Sequence, residues 1–283
     1  MREKVRKGDH RPRFNALAMA RKAKAFMECL KADPGEELGG ADVSSLEPTI
    51  SAEFSKDKYY CYATRDGVGL RPYIDDAGVL MIDDIYLMFG STVPRLGEQV
   101  KDAFVKENLF DQYMEDSESV TKSHPVIKSL RQKIFKPSAL GLERGMGWNK
   151  LRNDLLEKAG VELTRQEAKD IISAYWNLFK DLRLLGDRLA LEIEKHGFYT
   201  TPFGMPIYCE AHKGLAYFTQ AVGMGVLDLI QAKYYTRVGF DKYVATIHDE
   251  MIFQIPVGFR EQNDIIFQEC LESLNHDLKW SAP

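Results

Sequence analysis

The spacing of apolar residues changes several times along the chain, and each change predicts an element. Leu38-Gly39-Gly40-Ala41-Asp42-Val43 is a short β-type run that ends on an acid and predicts a strand. Ser44-Ser45-Leu46-Glu47-Pro48 follows. Either serine suits an N-cap and Pro48 suits a first helical turn, so Asp42 falls where a strand gives way to a helix. Residues 57–160 read mostly as helices with loops. Over residues 164–196, Ile171, Tyr175, Leu178, Leu182 and Leu185 step at helical spacing and predict the longest helix. Residues 198–208 hold Pro202-Phe203-Gly204 between β-type runs, which predicts a hairpin. Residues 213–238 read as a helix, residues 242–256 as two β-rich runs around a polar centre, and residues 259–278 as a closing helix. Ahead of these, residues 11–30 read as a basic lead-in with a short helix, and Asp33-Pro34-Gly35 as a turn. Hairpin-linked strands among helices, with no regular βαβ unit, predict an α+β fold with an antiparallel sheet.

Composition narrows the picture only slightly. A chain of 283 residues, 45% hydrophobic and 28% charged, allows one large domain or two modest ones. The net charge of −4 and pI near 5.9 do not mark a nucleic-acid binder. Positive charge is concentrated at the start, where Arg2, Lys4, Arg6, Lys7, Arg11, Arg13, Arg21, Lys22 and Lys24 face only Glu3 and Asp9. A solvated tail and a phosphate-contacting arm both fit that run. Cys29, Cys61, Cys209 and Cys270 form no CxxC pair, which argues against a zinc knuckle or disulfide framework and suits a reducing cytoplasm. No apolar run is long enough to cross a membrane, and the charged opening is not a secretory signal, so no membrane partner is expected.

Two acidic positions carry the chemistry. In Ile247-His248-Asp249-Glu250-Met251 three polar residues interrupt two apolar strand runs. Neighbours on a strand point to opposite faces, so three polar residues in a row belong to a tight turn or to a site. Asp249 suits a plain hairpin turn, and Asp42 suits a helix cap. Side by side in one sheet, however, the two carboxylates would repel unless a cation neutralised them. Mg²⁺ favours such carboxylate pairs completed by water and phosphate, and two ions about 3.5–4 Å apart serve in-line phosphoryl transfer.

These residues resemble motifs of family A (polymerase I type) DNA-directed DNA polymerases. Asp42-Val43-Ser44-Ser45-Leu46-Glu47 is similar to motif A, Asp-Tyr-Ser-Gln-Ile-Glu, and Ile247-His248-Asp249-Glu250 to motif C, Val-His-Asp-Glu. Between them, residues 131–147 are similar to motif B of the fingers helix, Arg-x3-Lys-x7-Tyr-Gly. Asp84-Ile85-Tyr86 resembles an Asp-Ile-His element, and Thr200-Thr201-Pro202-Phe203-Gly204 with Gln220 resembles the hairpin and helix before motif C. Residues 67–91 and the run Leu140-Gly141-Leu142-Glu143-Arg144-Gly145-Met146-Gly147 look more like bacteriophage members than bacterial repair polymerases. The resemblance extends over nearly the whole chain from about residue 26.

It implies a right-hand palm, a small antiparallel sheet backed by helices, with an inserted, mostly helical fingers domain and no thumb. The expected division is a basic lead-in at 1–25, palm at 26–56 and 198–283, and fingers at 57–197. It also implies roles. Asp42 and Asp249 hold two Mg²⁺ ions (Mn²⁺ as a substitute), helped by the Val43 carbonyl, with Glu250 an auxiliary acid. Glu47 abuts the sugar and selects deoxynucleotides. Ser45, Tyr86, Arg131, Gln132, Lys136, Leu140 and Arg144 line the nucleotide, and His248 and Gln220 meet the primer–template. The chain departs from the pattern in places. Family spacing puts the motif B arginine at Gln132, one residue after Arg131, and one residue is a helical turn of about 100°; the sequence leaves open whether Arg131 reaches the γ-phosphate. Pro137 predicts a kink or break in the fingers helix. Leu140 stands where an aromatic is usual, Arg144 for a tyrosine and Tyr86 for a histidine.

The leading expectation is template-directed DNA synthesis in the cytoplasm (the host's, if viral). The partners are primer–template DNA, deoxynucleoside triphosphates and a separate chain carrying the thumb, an exonuclease or both, as in a split polymerase. A non-catalytic polymerase-like subunit that binds DNA or the replisome is the alternative, and an unrelated metal-dependent phosphohydrolase is a third reading.

Overall fold

The computed structural model describes residues 31–43, 45–247 and 250–278. The basic lead-in and the helix expected before residue 30 lie outside the described residues, as do Ser44, His248 and Asp249. In chain order the elements begin with β1 (Glu36–Asp42), α1 (Leu46–Ser55) and α2 (Lys58–Cys61), which runs into a wide π turn (Tyr62–Asp66). A small hairpin follows, β2 (Tyr73–Ile74) and β3 (Leu80–Met81), then α3 (Ile85–Gly90), α4 (Leu96–Lys106), α5 (Leu109–Glu115), α6 (Ser117–Ser123) and α7 (Pro125–Leu130). A second π turn (Arg131–Phe135) leads into α8 (Lys136–Glu143), α9 (Trp148–Ala159), α10 (Arg165–Leu178) and α11 (Lys180–His196). The chain closes with β4 (Tyr199–Thr200), β5 (Pro206–Ile207), α12 (Gly214–Val238), β6 (Tyr243–Ile247), β7 (Glu250–Pro256) and α13 (Arg260–Leu278). This is a mixed α+β fold, mostly helical, with small antiparallel sheets. By packing it divides into two units, Met1–Val43 with Gln231–Cys270, and Ser44–Ile230 with Leu271–Pro283.

The first unit is built on one sheet, in the strand order β1-β7-β6, antiparallel throughout. Its central strand explains the order. Met251, Phe253 and Ile255 of β7 are buried on one face and Ile252 on the other, so β7 needs cover on both sides. Gly39 of β1 pairs with Phe253, and a Cβ there would lie 2.5 Å from the Phe253 ring, so only glycine leaves room for it. The Tyr234 ring of α12 packs 5.0 Å from Phe253 and 5.9 Å from Phe267 of α13, and its hydroxyl donates to Asn263. Outside this core, Lys242 meets Glu36 at 2.6 Å.

The second unit is helical, with the tyrosine and phenylalanine rings of Tyr60, Phe89, Phe104, Phe135, Tyr175 and Phe179 in its interior. Two expectations change here. Residues 164–196 form two helices, α10 and α11, rather than one. Thr164 and Glu167 make a reciprocal capping box that starts α10. The break comes at Phe179 (φ −97°, ψ 64°), whose fully buried ring packs edge-on to Tyr60 at 4.5 Å and Tyr175 at 4.9 Å. Asp57 then takes up an orphan amide of the new helix, accepting from the Asp181 N–H at 3.1 Å. The longest helix among the described residues is α12. At the start of α1, Ser45 occupies the cap position but makes no side-chain cap, because its backbone is left-handed (φ 56°) rather than extended.

The helical segment through Pro137 is also continuous, where the sequence predicts a kink or break. Lys136 keeps helical angles (φ −61°, ψ −49°), and Pro137 sits in the first turn of α8, where a missing N–H is tolerated. The π turn ahead of it absorbs the mismatch: the Lys136 N–H reaches back five residues to the Arg131 carbonyl. The Ser138 hydroxyl donates to the Ile134 carbonyl at 2.6 Å. The hairpin at β4–β5 forms as expected around Pro202-Phe203-Gly204, with Gly204 at φ +79° and its N–H on the Thr201 carbonyl.

The π turn is seated against α3 by one close approach. A Cβ on Gly90 would lie 2.3 Å from the Phe135 ring, which is itself fully buried. Gly90→Ala therefore forces ring and helix apart, and is expected to lower stability by about 1–3 kcal/mol, in the range of overpacked cores. Urea unfolding checks this; an unchanged midpoint shows that the contact is not tight.

Candidate functional site

The acidic residues gather at one end of the first unit's sheet. The β1–β7 register pairs Asp42 with Glu250 and Ala41 with Met251, and the β6–β7 register pairs Ile247 with the same Glu250. Glu250 is therefore flanked on one side by the end of β1 and on the other by the end of β6. Asp249 and His248 are its neighbours in sequence and lie outside the described residues. Val43 follows directly on β1 and is half-buried. Among the described residues, no group of three or more His, Cys, Asp or Glu side chains is arranged to hold a metal ion.

In the second unit a different cluster forms around Tyr86. The Asp84 side chain caps α3, its Oδ1 accepting from the amides of Tyr86 at 3.0 Å and Leu87 at 2.9 Å. Its other oxygen, Oδ2, accepts from Arg131 Nε at 2.5 Å. The Arg131 guanidinium lies 5.3 Å from the Tyr86 ring centre and the Lys136 ammonium 5.5 Å, within cation–π range. Burial, then the charges of Glu143 and Asp84, push the Tyr86 hydroxyl up to about 12, with Arg131 opposing and Glu47 adding to the rise. Glu47, in the first turn of α1, thus belongs to this neighbourhood. The arginine that sequence spacing left open is engaged by Asp84, while Gln132 is exposed, as are Arg144 at the end of α8 and Gln220 on α12. Leu140 is half-buried on α8, and Ser45 is exposed.

An acid that sequence reasoning missed, Glu143 at the end of α8, is half-buried and tied to two buried tyrosines. Tyr175 donates its hydroxyl to Glu143 Oε1 at 2.7 Å, Tyr60 donates to the same oxygen, and the two hydroxyls are 2.6 Å apart. Burial raises the Glu143 carboxyl above its ordinary range; the two tyrosine donors pull it down, the Glu47 charge adds to the rise, and Arg144 opposes it. The only sequence signal is an acid ending an otherwise apolar helix, Ala139-Leu140-Gly141-Leu142-Glu143.

No protein-family model matches the chain. No curated protein sequence matches it either. Among solved structures, the chain is similar to the POL domain of Pol1 from M. smegmatis in complex with DNA primer-template and dNTP, with a TM-score of 0.60 and 16% sequence identity. The match covers 86% of this chain and 38% of that one, so the chain spans well under half the length of its neighbour. At that identity the likeness is one of fold.

The Glu143 cluster predicts a pH dependence of stability. A carboxyl with a raised folded-state pKa holds its proton longer in the folded state than in the unfolded one. Its contribution is then fully present below the unfolded value, near 4.5, and fades as pH rises through the folded value. Glu143→Gln keeps an acceptor for both tyrosines and removes the titration. The wild-type unfolding free energy should fall faster with pH above 4.5 than that of the variant in matched urea titrations; parallel profiles for the two proteins would refute the assignment.

Proposed function

We propose that this chain is the palm-and-fingers portion of a template-directed DNA polymerase of the family A type, joining deoxynucleotides to a primer 3′ end by two-metal-ion nucleotidyl transfer. The observation that carries the reading is the strand register: Asp42 of the motif A-like run is paired with Glu250 of the motif C-like run, next in sequence to Asp249. Three motif-like runs in family order and the polymerase-domain fold of the M. smegmatis neighbour support it. The division into palm (26–56 and 198–283) and fingers (57–197), the phage-like affinity, the cytoplasmic setting and a separate thumb- or exonuclease-bearing partner chain belong to the same proposal.

The donor set suits Mg²⁺. Asp42, Asp249 and the Val43 carbonyl would all offer hard oxygen ligands, and carboxylates brought side by side would need a cation between them. Bound there, divalent ions supply charge neutralisation and acidify the primer hydroxyl. The chain's own groups do the rest. Glu250 adds negative charge beside the primer end. Glu47 stands against the sugar and leaves no room for a 2′-hydroxyl. Arg131 and Lys136 offset the triphosphate charge, and Tyr86, held neutral by burial, offers a hydroxyl. Ser45, Gln132, Leu140 and Arg144 border the nucleotide, and His248 and Gln220 the primer–template. In the transfer itself, the 3′-oxygen bonds to the α-phosphorus as the bond to pyrophosphate breaks, and the hydroxyl proton leaves to solvent.

Primer extension with Mg²⁺, the four deoxynucleotides and a thumb-bearing chain tests the proposal. Asp249→Asn is expected to abolish extension without lowering the melting temperature, since shape is kept and charge is lost. Extension at the wild-type rate by that variant rules out the two-metal reading, and a wild-type protein that binds primer–template but never extends it is instead a non-catalytic subunit. A separate readout concerns the sugar: Glu47→Ala should raise ribonucleotide incorporation relative to deoxynucleotide, and an unchanged ratio in an active enzyme removes Glu47 from that role.

A further inference from the structure

Arg131, Lys136 and Tyr86 come from two stretches about fifty residues apart, and one side chain sets how two of them meet. Asp84 is buried, at 8% exposure, and makes three hydrogen bonds. Two of them, to the amides of Tyr86 and Leu87, start α3 and so fix the backbone that carries Tyr86. The third holds Arg131, and it uses Nε rather than the terminal nitrogens. An arginine gripped at Nε keeps both Nη groups, with their four N–H donors, for another acceptor. The contact is charge-assisted, so it also resists rotation of the guanidinium. Also near the Tyr86 ring, the Lys136 ammonium makes no salt bridge with a carboxylate among the described residues, and its side chain is exposed. The result is an aromatic ring with a held guanidinium and an uncommitted ammonium close to it, which is a receptor for a chain of phosphates rather than for a single carboxylate.

We infer that Asp84 is the positioning residue of a polyphosphate-binding site formed by Arg131, Lys136 and Tyr86, acting through its grip on Arg131 Nε and its cap on α3. The inference rests on the reading of these residues as the nucleotide-facing group. It also accounts for the arginine's shifted place in the motif: the π turn (Arg131–Phe135) widens the helix where Arg131 leaves it, and Asp84 holds the side chain there. Asp84 need not touch phosphate. Its carboxylate is engaged at Arg131 Nε, and its negative charge is offset by the arginine and by two amides.

Asp84→Asn separates the two tasks, since its amide oxygen can still cap α3 while its NH₂ group opposes Arg131 Nε. The probe is inorganic tripolyphosphate, measured by calorimetry on the full chain, because it needs neither primer nor turnover. Asp84→Asn is expected to weaken its binding roughly ten-fold or more, the worth of one charge-assisted hydrogen bond, with little change in melting temperature. Arg131→Ala should weaken it similarly, and the double variant should lose no more than either single one, because both remove the same interaction. Additive losses, unchanged or tightened binding in Asp84→Asn, or no tripolyphosphate binding by the wild-type chain would each overturn the inference. Failure of the polymerase reading looks different: tripolyphosphate binds with the expected dependence on Asp84, yet no primer is extended.

Discussion

A carboxylate taken wholly or partly out of water must be given donors, and in the helical unit of this chain Asp57, Asp84 and Glu143 use theirs to join separate elements. Asp57 caps α2 and accepts an amide from the start of α11. Asp84 caps α3 and holds Arg131 in the π turn that precedes α8. Glu143, at the end of α8, takes the hydroxyls of Tyr60 from α2 and Tyr175 from α10. Each acid therefore joins elements that are far apart in sequence. Removing the donors from such a group leaves an uncompensated buried charge, which costs several kcal/mol. Apolar packing holds these helices together, and the acids fix which residues meet.

The same constraint explains why the segment through α8 survives its proline. A proline inside a helix removes one amide and crowds the preceding turn. Here the wide turn at Arg131–Phe135 lengthens one hydrogen-bond step just before it, and Pro137 falls in the first turn of α8, where a missing N–H is tolerated. The extra residue in that turn changes where the side chains ahead of α8 emerge. Arg131 reaches Asp84 while Phe135 is driven into the core against Gly90. A regular helix carrying Arg131 could not be read one residue out of step without turning it by about 100°; the π turn alters that phase.

What could be read from the sequence and what could not divide along physical lines. The strands at 36–42, 243–247 and 250–256 and the closing hairpins were legible, because apolar alternation and turn residues are local signals. The helix break at Phe179 was not, because phenylalanine there keeps the apolar rhythm and only its burial against Tyr60 pulls it out of the helix. The π turns, the short β2–β3 hairpin and the left-handed Ser45 leave no periodic mark either. Asp42, Glu47, Tyr86, Arg131 and Lys136 are candidates that the sequence offers through runs resembling polymerase motifs. Asp84 and Glu143 escaped as organisers because their partners lie 47 and 83 residues away in the chain, and no local pattern announces such pairings.

The identity of residue 86 sets the electrical character of the cluster. A histidine there would add a cation as pH falls below about 6.5 and remove it above. Tyr86 adds none: burial and the neighbouring acids hold its hydroxyl protonated up to about 12. It returns something else, a flat negative face near which Arg131 and Lys136 rest, each such contact worth about 0.5–2 kcal/mol depending on exposure. The tyrosine thus exchanges a titratable charge for fixed placement of two permanent ones. In a chain whose net charge is −4, any attraction for a polyanion would have to come from such local placement of Arg131 and Lys136 rather than from an overall basic field.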